Sequence, residues 1–285
     1  MRIFALMVIP QGTLDEPNPA GTPEPLSGVT LMDSFAPKYL ETQYWPQTIV
    51  EIVADAHAIG WSSEEIRQLW KIHVLMARLF SGRYRGSGRP FINHLAGTAA
   101  LALRHGGGVT EVIAGYGHAA YEQGEFGRAR QGASKANQRE LRTAVGHAAE
   151  AIIADYAGFD WNRIALRRNT GEALALSVHE KQLLFLHIVN ELDDSFDCGV
   201  YDAEWCEGCL RRLAAGAEFA SALAYNGLAD QLNARISYVR SSGLASTKGG
   251  RPKRSETILN PSSKPRYLLK VKRRIVRLSD KLRSN

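Results

Sequence analysis

The chain is predicted to be all-α. Three observations carry that reading. Apolar residues recur at three- and four-residue steps over long stretches between residues 46 and 243, the pattern of one buried helix face. Glycine-rich breaks punctuate those stretches, at residues 86–88 and 106–108 for example. There is no βαβ rhythm and no run of alternating strands, which leaves helix packed on helix as the architecture.

The elements follow in order. Residues 1–45 hold six of the eleven prolines and read as an irregular lead segment. Patterning starts at Trp45-Pro46, and Ile49, Ile52, Val53 and Ala56 give the first helix, over Thr48–Ile59. Ser62 followed by Glu64 and Glu65 marks the next helix start. That helix carries Ile66, Leu69, Trp70, His73, Ala77 and Phe80 on one side. After the loop GRYRGSGR, Pro90 opens a helix through Leu95, Ala99 and Leu103, stopped at His105-Gly106-Gly107-Gly108. Val109–Tyr121 is the following apolar helix, and Gly124–Ala133 a polar loop. Long helices are expected near Asn137–Tyr156 and Ser177–Phe196, then a pair near Ala203–Ala224 and Ala229–Arg240.

Charge and cysteines bound the function classes. The chain carries +6 overall, but thirteen Lys or Arg against two acids from Ala245 onward give that tail +11, so the body is about −5. The basic pI belongs to the tail. Residues 244–265 read as a flexible basic linker with little to bury. Residues 266–283 form a basic amphipathic helix through Leu268, Val271, Ile275, Leu278 and Leu282. Such a helix suits an anionic membrane surface, docking on its own domain or a partner, or, less well, nucleic acid. No run of about 18 apolar residues occurs and the opening MRIFALMVIP is a poor secretory signal, so cytoplasmic residence, peripheral to a membrane at most, is the expectation. Cys198, Cys206 and Cys209 are too few for a disulfide framework. Cys206 and Cys209 make a lone C-x-x-C, read as ordinary helix cysteines ahead of a zinc site.

Four stretches attract a chemical reading: Ala77–Gly82, Arg85–His94, Gly115–Phe126 and His187–Asp194. Together they resemble the HD superfamily, in particular the hydrolase half of RelA/SpoT-type enzymes, which shows His-x-Gly-x-x-Arg-x-x-Gly-x-Pro-Tyr-x-x-His, then His-Asp-x-x-Glu-Asp, then a late Asp. A closer likeness is to an uncharacterised HD-like family with His-Leu-x-Gly-Thr and His-Ser-x-Tyr-Gly-Thr, read here at His94-Leu95-Ala96-Gly97-Thr98 and His118-Ala119-Ala120-Tyr121-Glu122. The resemblance covers roughly residues 65–200. It implies an HD-type helical bundle with a divalent metal, Zn, Fe or Mn, held by His94, His118 and Asn190. It places Glu122 at the catalytic carboxylate, and Arg85 and Tyr121 on a phosphorylated small molecule or nucleotide.

This chain departs from that pattern. Phe80 replaces the first His, Ala119 the Asp of the His-Asp pair, Asn190 the late Asp and Gln123 the second acid. Two imidazoles and an amide bring no formal negative charge, which weakens a hard-cation site. Each residue also has a plainer reading. The histidines are satisfied core residues, Glu122 a solvated helix acid, Asn190 a cap and Arg85 a solvated loop cation, while Asp193, Asp194 and Asp197, an acidic cluster that could bind metal, are more simply surface acids. Two functions stand side by side: a metal-dependent phosphohydrolase with an altered centre, and a catalytically inactive binding or scaffold module of the same fold.

Overall fold

A computed structural model describes residues 45–127, 132–160, 176–246 and 258–259. The lead segment 1–44 and the basic helix expected over 266–283 lie outside the described residues. Nine α-helices carry the described fold: α1 Ile49–Ala58, α2 Ser63–Leu79, α3 Phe91–Arg104, α4 Val109–Gly117, α5 Ala120–Gln123, α6 Lys135–Tyr156, α7 Val178–Asp194, α8 Ala203–Ala222 and α9 Asn226–Ser241. The all-α expectation holds.

Local chemistry explains where the helices begin. Thr48 with Glu51, Ser62 with Glu65 and Ser177 with Glu180 form reciprocal capping boxes at α1, α2 and α7. In each, the hydroxyl accepts the third backbone N–H and the Glu carboxylate accepts from the cap's own N–H, so two otherwise unpaired donors are satisfied. Ser134 and Asp202 cap α6 and α8 the same way without the return bond.

Helix α3 is the axis of the core. Its residues from His94 to Leu103 are all buried, and it packs between α4 and α7, with α1 across its outer side. Small residues make that crowding feasible: a Cβ on Gly115 would stand 3.5 Å from the Ala99 Cα and 3.6 Å from the Thr98 carbonyl oxygen. Backbones this close leave no room for larger side chains, and the core is packed accordingly. Helices α8 and α9 pair as a hairpin against α7.

Three expectations need correction. The apolar helix expected over Val109–Tyr121 breaks at His118–Ala119, which separates α4 from α5. The buried stripe of α2 is Leu69, Ile72, Leu75, Met76 and Leu79, while Trp70 is 40% exposed and Ala77 lies outward. The sequence pattern had been drawn through the wrong side of a helix with apolar residues on more than one face. The linker also holds a structured piece: Ile258–Leu259 pairs antiparallel with Arg83–Tyr84, which we label β2 and β1. Tyr84 bridges Pro90 as well, so this small ladder borders the loop from Arg85 to Arg89.

Candidate metal centre

Asp193 is the hub of the interior. It follows Leu186 and Val189 along the buried face of α7 and is itself fully buried. Its Oδ1 accepts from Trp45 Nε1 at 3.0 Å and Gln47 Nε2 at 3.2 Å. Its Oδ2 accepts from His94 Nδ1 at 2.6 Å and from Arg89 Nη2. Burial alone pushes this carboxyl up, but the Arg89 charge and the His94 and Trp45 hydrogen bonds together hold it well below the usual carboxylate range. Gly97 leaves the space: a Cβ there would meet Asp193 Oδ1 at 1.9 Å. The glycine of the His-Leu-Ala-Gly-Thr segment is therefore the cradle of a carboxylate 96 residues away in sequence.

Of the neighbouring acids Asp197 is buried too and Asp194 half-buried, contrary to the surface reading. Asp197, in a short 3₁₀ turn after α7, is 2% exposed and accepts from Arg85 Nε at 3.0 Å. Asp194 Oδ1 lies 2.6 Å from Arg85 Nη2. Burial raises the Asp194 carboxyl to about 7, Arg85 opposing and the charges of Glu191, Asp197 and Asp193 adding. Three acids face two arginines, Arg85 and Arg89, which leaves one negative charge in excess once Asp194 is ionised.

Two histidines meet at this hub. His94 Nε2 and His118 Nε2 are 3.2 Å apart, with the rings edge to face. Each far nitrogen is engaged. His94 Nδ1 lies against the ionised Asp193, and His118 Nδ1 lies 2.8 Å from the Gly115 carbonyl oxygen. Asp193 and the Gly115 carbonyl each favour a proton on the facing Nδ1, against Arg89 Nη2, which lies 3.2 Å from His94 Nδ1 and can only donate; with both Nδ1 atoms protonated, the two Nε2 atoms present lone pairs to one another. Burial first, and then the Arg85 charge, drives His94 far below the ordinary imidazole value despite Asp193. Burial takes His118 down to about 4 against the pull of the Gly115 carbonyl. Facing lone pairs repel unless something electropositive lies between them.

No protein-family model matches this chain, and no curated protein matches it significantly. The site is accordingly judged on its own donors. His94, Asp193 and Asp194 bring donor atoms within 4.8 Å of one another and could hold a metal ion. Both oxygens of Asp193 are already taken by four protein donors, so it serves as the partner that orients His94, as carboxylates commonly do behind a metal-bound imidazole.

Of the other residues singled out in the sequence, Arg85 and Asn190 border the acidic hub, while Tyr121 and Glu122 take other surroundings. Arg85 is committed to Asp194 and Asp197, whose charges outweigh burial and raise its pKa. Tyr121 Oη donates to the fully buried Glu150 at 2.6 Å, and Glu150 also accepts from Arg142. Glu122 is exposed on α5. Asn190 sits one turn before Asp193 and Asp194 on α7, and its buried Oδ1 has no hydrogen-bond partner among the described residues. Phe80, at the position of the family's first His, stacks on Phe91, whose ring touches His94 edge on. The three cysteines are all buried and unlinked.

Sequence reasoning singled out Asp193 within an acidic cluster but preferred a surface reading for it, and it missed Arg89, Trp45 and Tyr156 as site residues. One signal was available for Asp193: it continues the buried line of Leu186 and Val189, where an acid needs partners to be tolerated. Trp45 and Arg89 offered none.

Proposed function

We propose that this protein is an HD-type helical binding module that holds one divalent metal ion between His94 Nε2 and His118 Nε2. The observation that carries the reading is the 3.2 Å separation of two lone-pair nitrogens whose opposite nitrogens are both anchored. Two imidazole nitrogens bonded to one ion at about 2.0–2.1 Å, with an angle of about 100° between the bonds, stand that far apart. Asn190 Oδ1, buried and unpartnered, supplies a third neutral donor. The excess negative charge of the Asp193, Asp194 and Asp197 cluster offsets the ion's charge, which answers the missing acid of the family pattern. Imidazole donors suit Zn or Fe better than Mn, which favours oxygen. When bound, such an ion supplies Lewis acidity to an oxygen-bearing ligand.

The binding module is favoured over the phosphohydrolase because the hydrolytic parts are placed elsewhere. Arg85 is held by two carboxylates, and Glu122 faces solvent.

Metal analysis of protein purified without chelator tests the proposal. Wild type is expected to carry near one equivalent of transition metal, and His94→Ala and His118→Ala to carry almost none while keeping their helical circular dichroism. A wild type that is metal-free and takes up no Co(II) would overturn it. Turnover of phosphomonoesters or nucleotides by the loaded protein, abolished in Glu122→Gln, would restore the hydrolase reading.

A further inference from the structure

Tyr156 is the second polar group at this site with nothing in the described protein to bond. It ends α6, is 6% exposed, and its Oη is buried without a hydrogen-bond partner among the described residues. Its ring packs 5.0 Å from that of His118 and lies flat on His187, 4.0 Å away with 4° between the planes. His187 Nε2 is fixed in turn, 3.1 Å from the Tyr156 carbonyl oxygen. The phenol is thus held rigidly beside the histidine pair by packing, while its hydroxyl, the one group that normally needs a partner when a tyrosine is buried, is left open.

The state of that hydroxyl follows from its surroundings. Burial first, then the charges of Asp194, Glu191 and Glu122, push the phenol well above its ordinary value, with Arg85 opposing. It remains protonated at any working pH and acts as a donor. The cluster of Asp193, Asp194, Asp197, Arg85 and Arg89 pairs its acids with its arginines, and Glu191 is matched by Arg212 at 2.7 Å. A divalent ion between the histidines adds positive charge to this largely self-neutralised cluster, which an anionic ligand offsets.

We infer that Tyr156, its buried hydroxyl unpartnered among the described residues and its ring packed on His118, is the hydrogen-bond donor for a small oxyanion seated beside the metal. The inference rests on the metal-binding reading above. Fixed donors aimed at an oxyanion in a site shielded from water are the general device for holding such groups. Inorganic phosphate is the probe that supplies both the negative charge and the oxygen surface.

The test uses the full chain loaded with Co(II), whose visible spectrum reports its coordination. Phosphate is expected to shift the wild-type spectrum saturably. Tyr156→Phe keeps the ring stack on His187, so it should retain the Co(II) stoichiometry and the phosphate-free spectrum while losing at least tenfold in phosphate affinity. Equal phosphate affinity in wild type and Tyr156→Phe overturns the inference and leaves the metal reading intact. So does a Co(II) protein whose spectrum phosphate does not move. Failure of wild type to take up Co(II) removes both.

Discussion

Replacing Gly97 with Ala adds one methyl group to the middle of α3, a change that ordinarily favours a helix by about 1 kcal/mol. Here that methyl would stand 1.9 Å from Asp193 Oδ1 and 2.5 Å from Gln47 Nε2. Ordinary contact begins at 3.4 Å, so the carboxylate must retreat by about 1.5 Å. A retreat of that size breaks the bonds from Trp45 and Gln47 to Oδ1, now 3.0 and 3.2 Å, or drives Oδ2 into His94 and Arg89. Two hydrogen bonds to a buried charge are worth about 1.5–3 kcal/mol each, so a loss of about 4 kcal/mol is expected, about 3 after the helix gain. For a domain of this size that corresponds to a fall of about 6–12 °C in melting temperature. Thermal unfolding by circular dichroism measures it, with Gly208→Ala on α8 as the control. A Cβ at 208 meets nothing closer than the flexible Arg212 guanidinium at 3.5 Å, so that variant should be neutral or slightly stabilised. If Gly97→Ala melts with wild type, Asp193 is not seated against α3 and the hub described here is wrong.

Other consequences follow from the same network. Asp193→Asn keeps the shape but removes the charge facing Arg89 and His94, and should cost about 3–5 kcal/mol in denaturant unfolding at neutral pH; a smaller cost than that of a surface Asp→Asn would refute its role. Arg85→Met strands Asp194 and Asp197 and should lower stability by about 3 kcal/mol; unchanged stability would show that the arginine is free for a ligand instead. Burial holds His105, His118 and His187 down at about 4, against an unfolded value near 6.5. Between those values the unfolded chain binds protons that the folded chain refuses, so stability present above about pH 6.5 is lost as the pH falls toward 4. The raised carboxyls of Asp194 and Glu191 act in the opposite sense but are fewer. The urea midpoint should therefore be lower at pH 5 than at pH 7, and equal midpoints would refute the neutral buried histidines. Ending the chain at Ser246 removes β2 and should leave the helical domain folded while hydrogen exchange quickens at Arg83–Tyr84; a melting temperature lowered by more than about 10 °C would show that the tail belongs to the fold.

The helices were legible because each is announced locally. Capping residues, glycine stops and a repeating apolar face all lie within a few residues of the element they specify, as at Ser62–Glu65 and His105–Gly108. The meeting of His94 with His118 was legible only through resemblance, since 24 residues separate them and nothing in either segment names the other. The acids were misread for a physical reason. An Asp-Asp pair at a helix end is ordinarily solvated, and what makes this one buried is the arrival of Arg85 and Arg89 from another loop and Trp45 from the chain's first described turn. Charge neutralisation of that kind is a tertiary event. Arg85 was misjudged with them: its carboxylate partners lie more than 100 residues away.

That arrangement also bears on which function the fold retains. Asp193 binds four donors from three separate places: Trp45 and Gln47 before α1, Arg89 in the loop, and His94 on α3. A carboxylate so engaged ties the lead into α1, the β1 loop, α3 and α7 together, and its removal costs stability before it costs chemistry. In a hydrolytic centre the acid would be spent on metal or water, and the arginine on substrate. Here acids and arginines are spent on each other. Among the described residues the two Nε2 lone pairs face one another, and Asn190 Oδ1, the Tyr156 hydroxyl, Arg89 Nε, Ser87 Oγ and Asp194 Oδ1 are buried without a hydrogen-bond partner, Asp194 Oδ1 keeping its ion pair with Arg85. Those atoms can hold an ion and a small ligand in place. Among them are the atoms on which the proposed metal-binding reading draws, and Asp194, beside Arg85 with its carboxyl raised by burial, is the acid whose replacement would distinguish a binding site from a hydrolytic one.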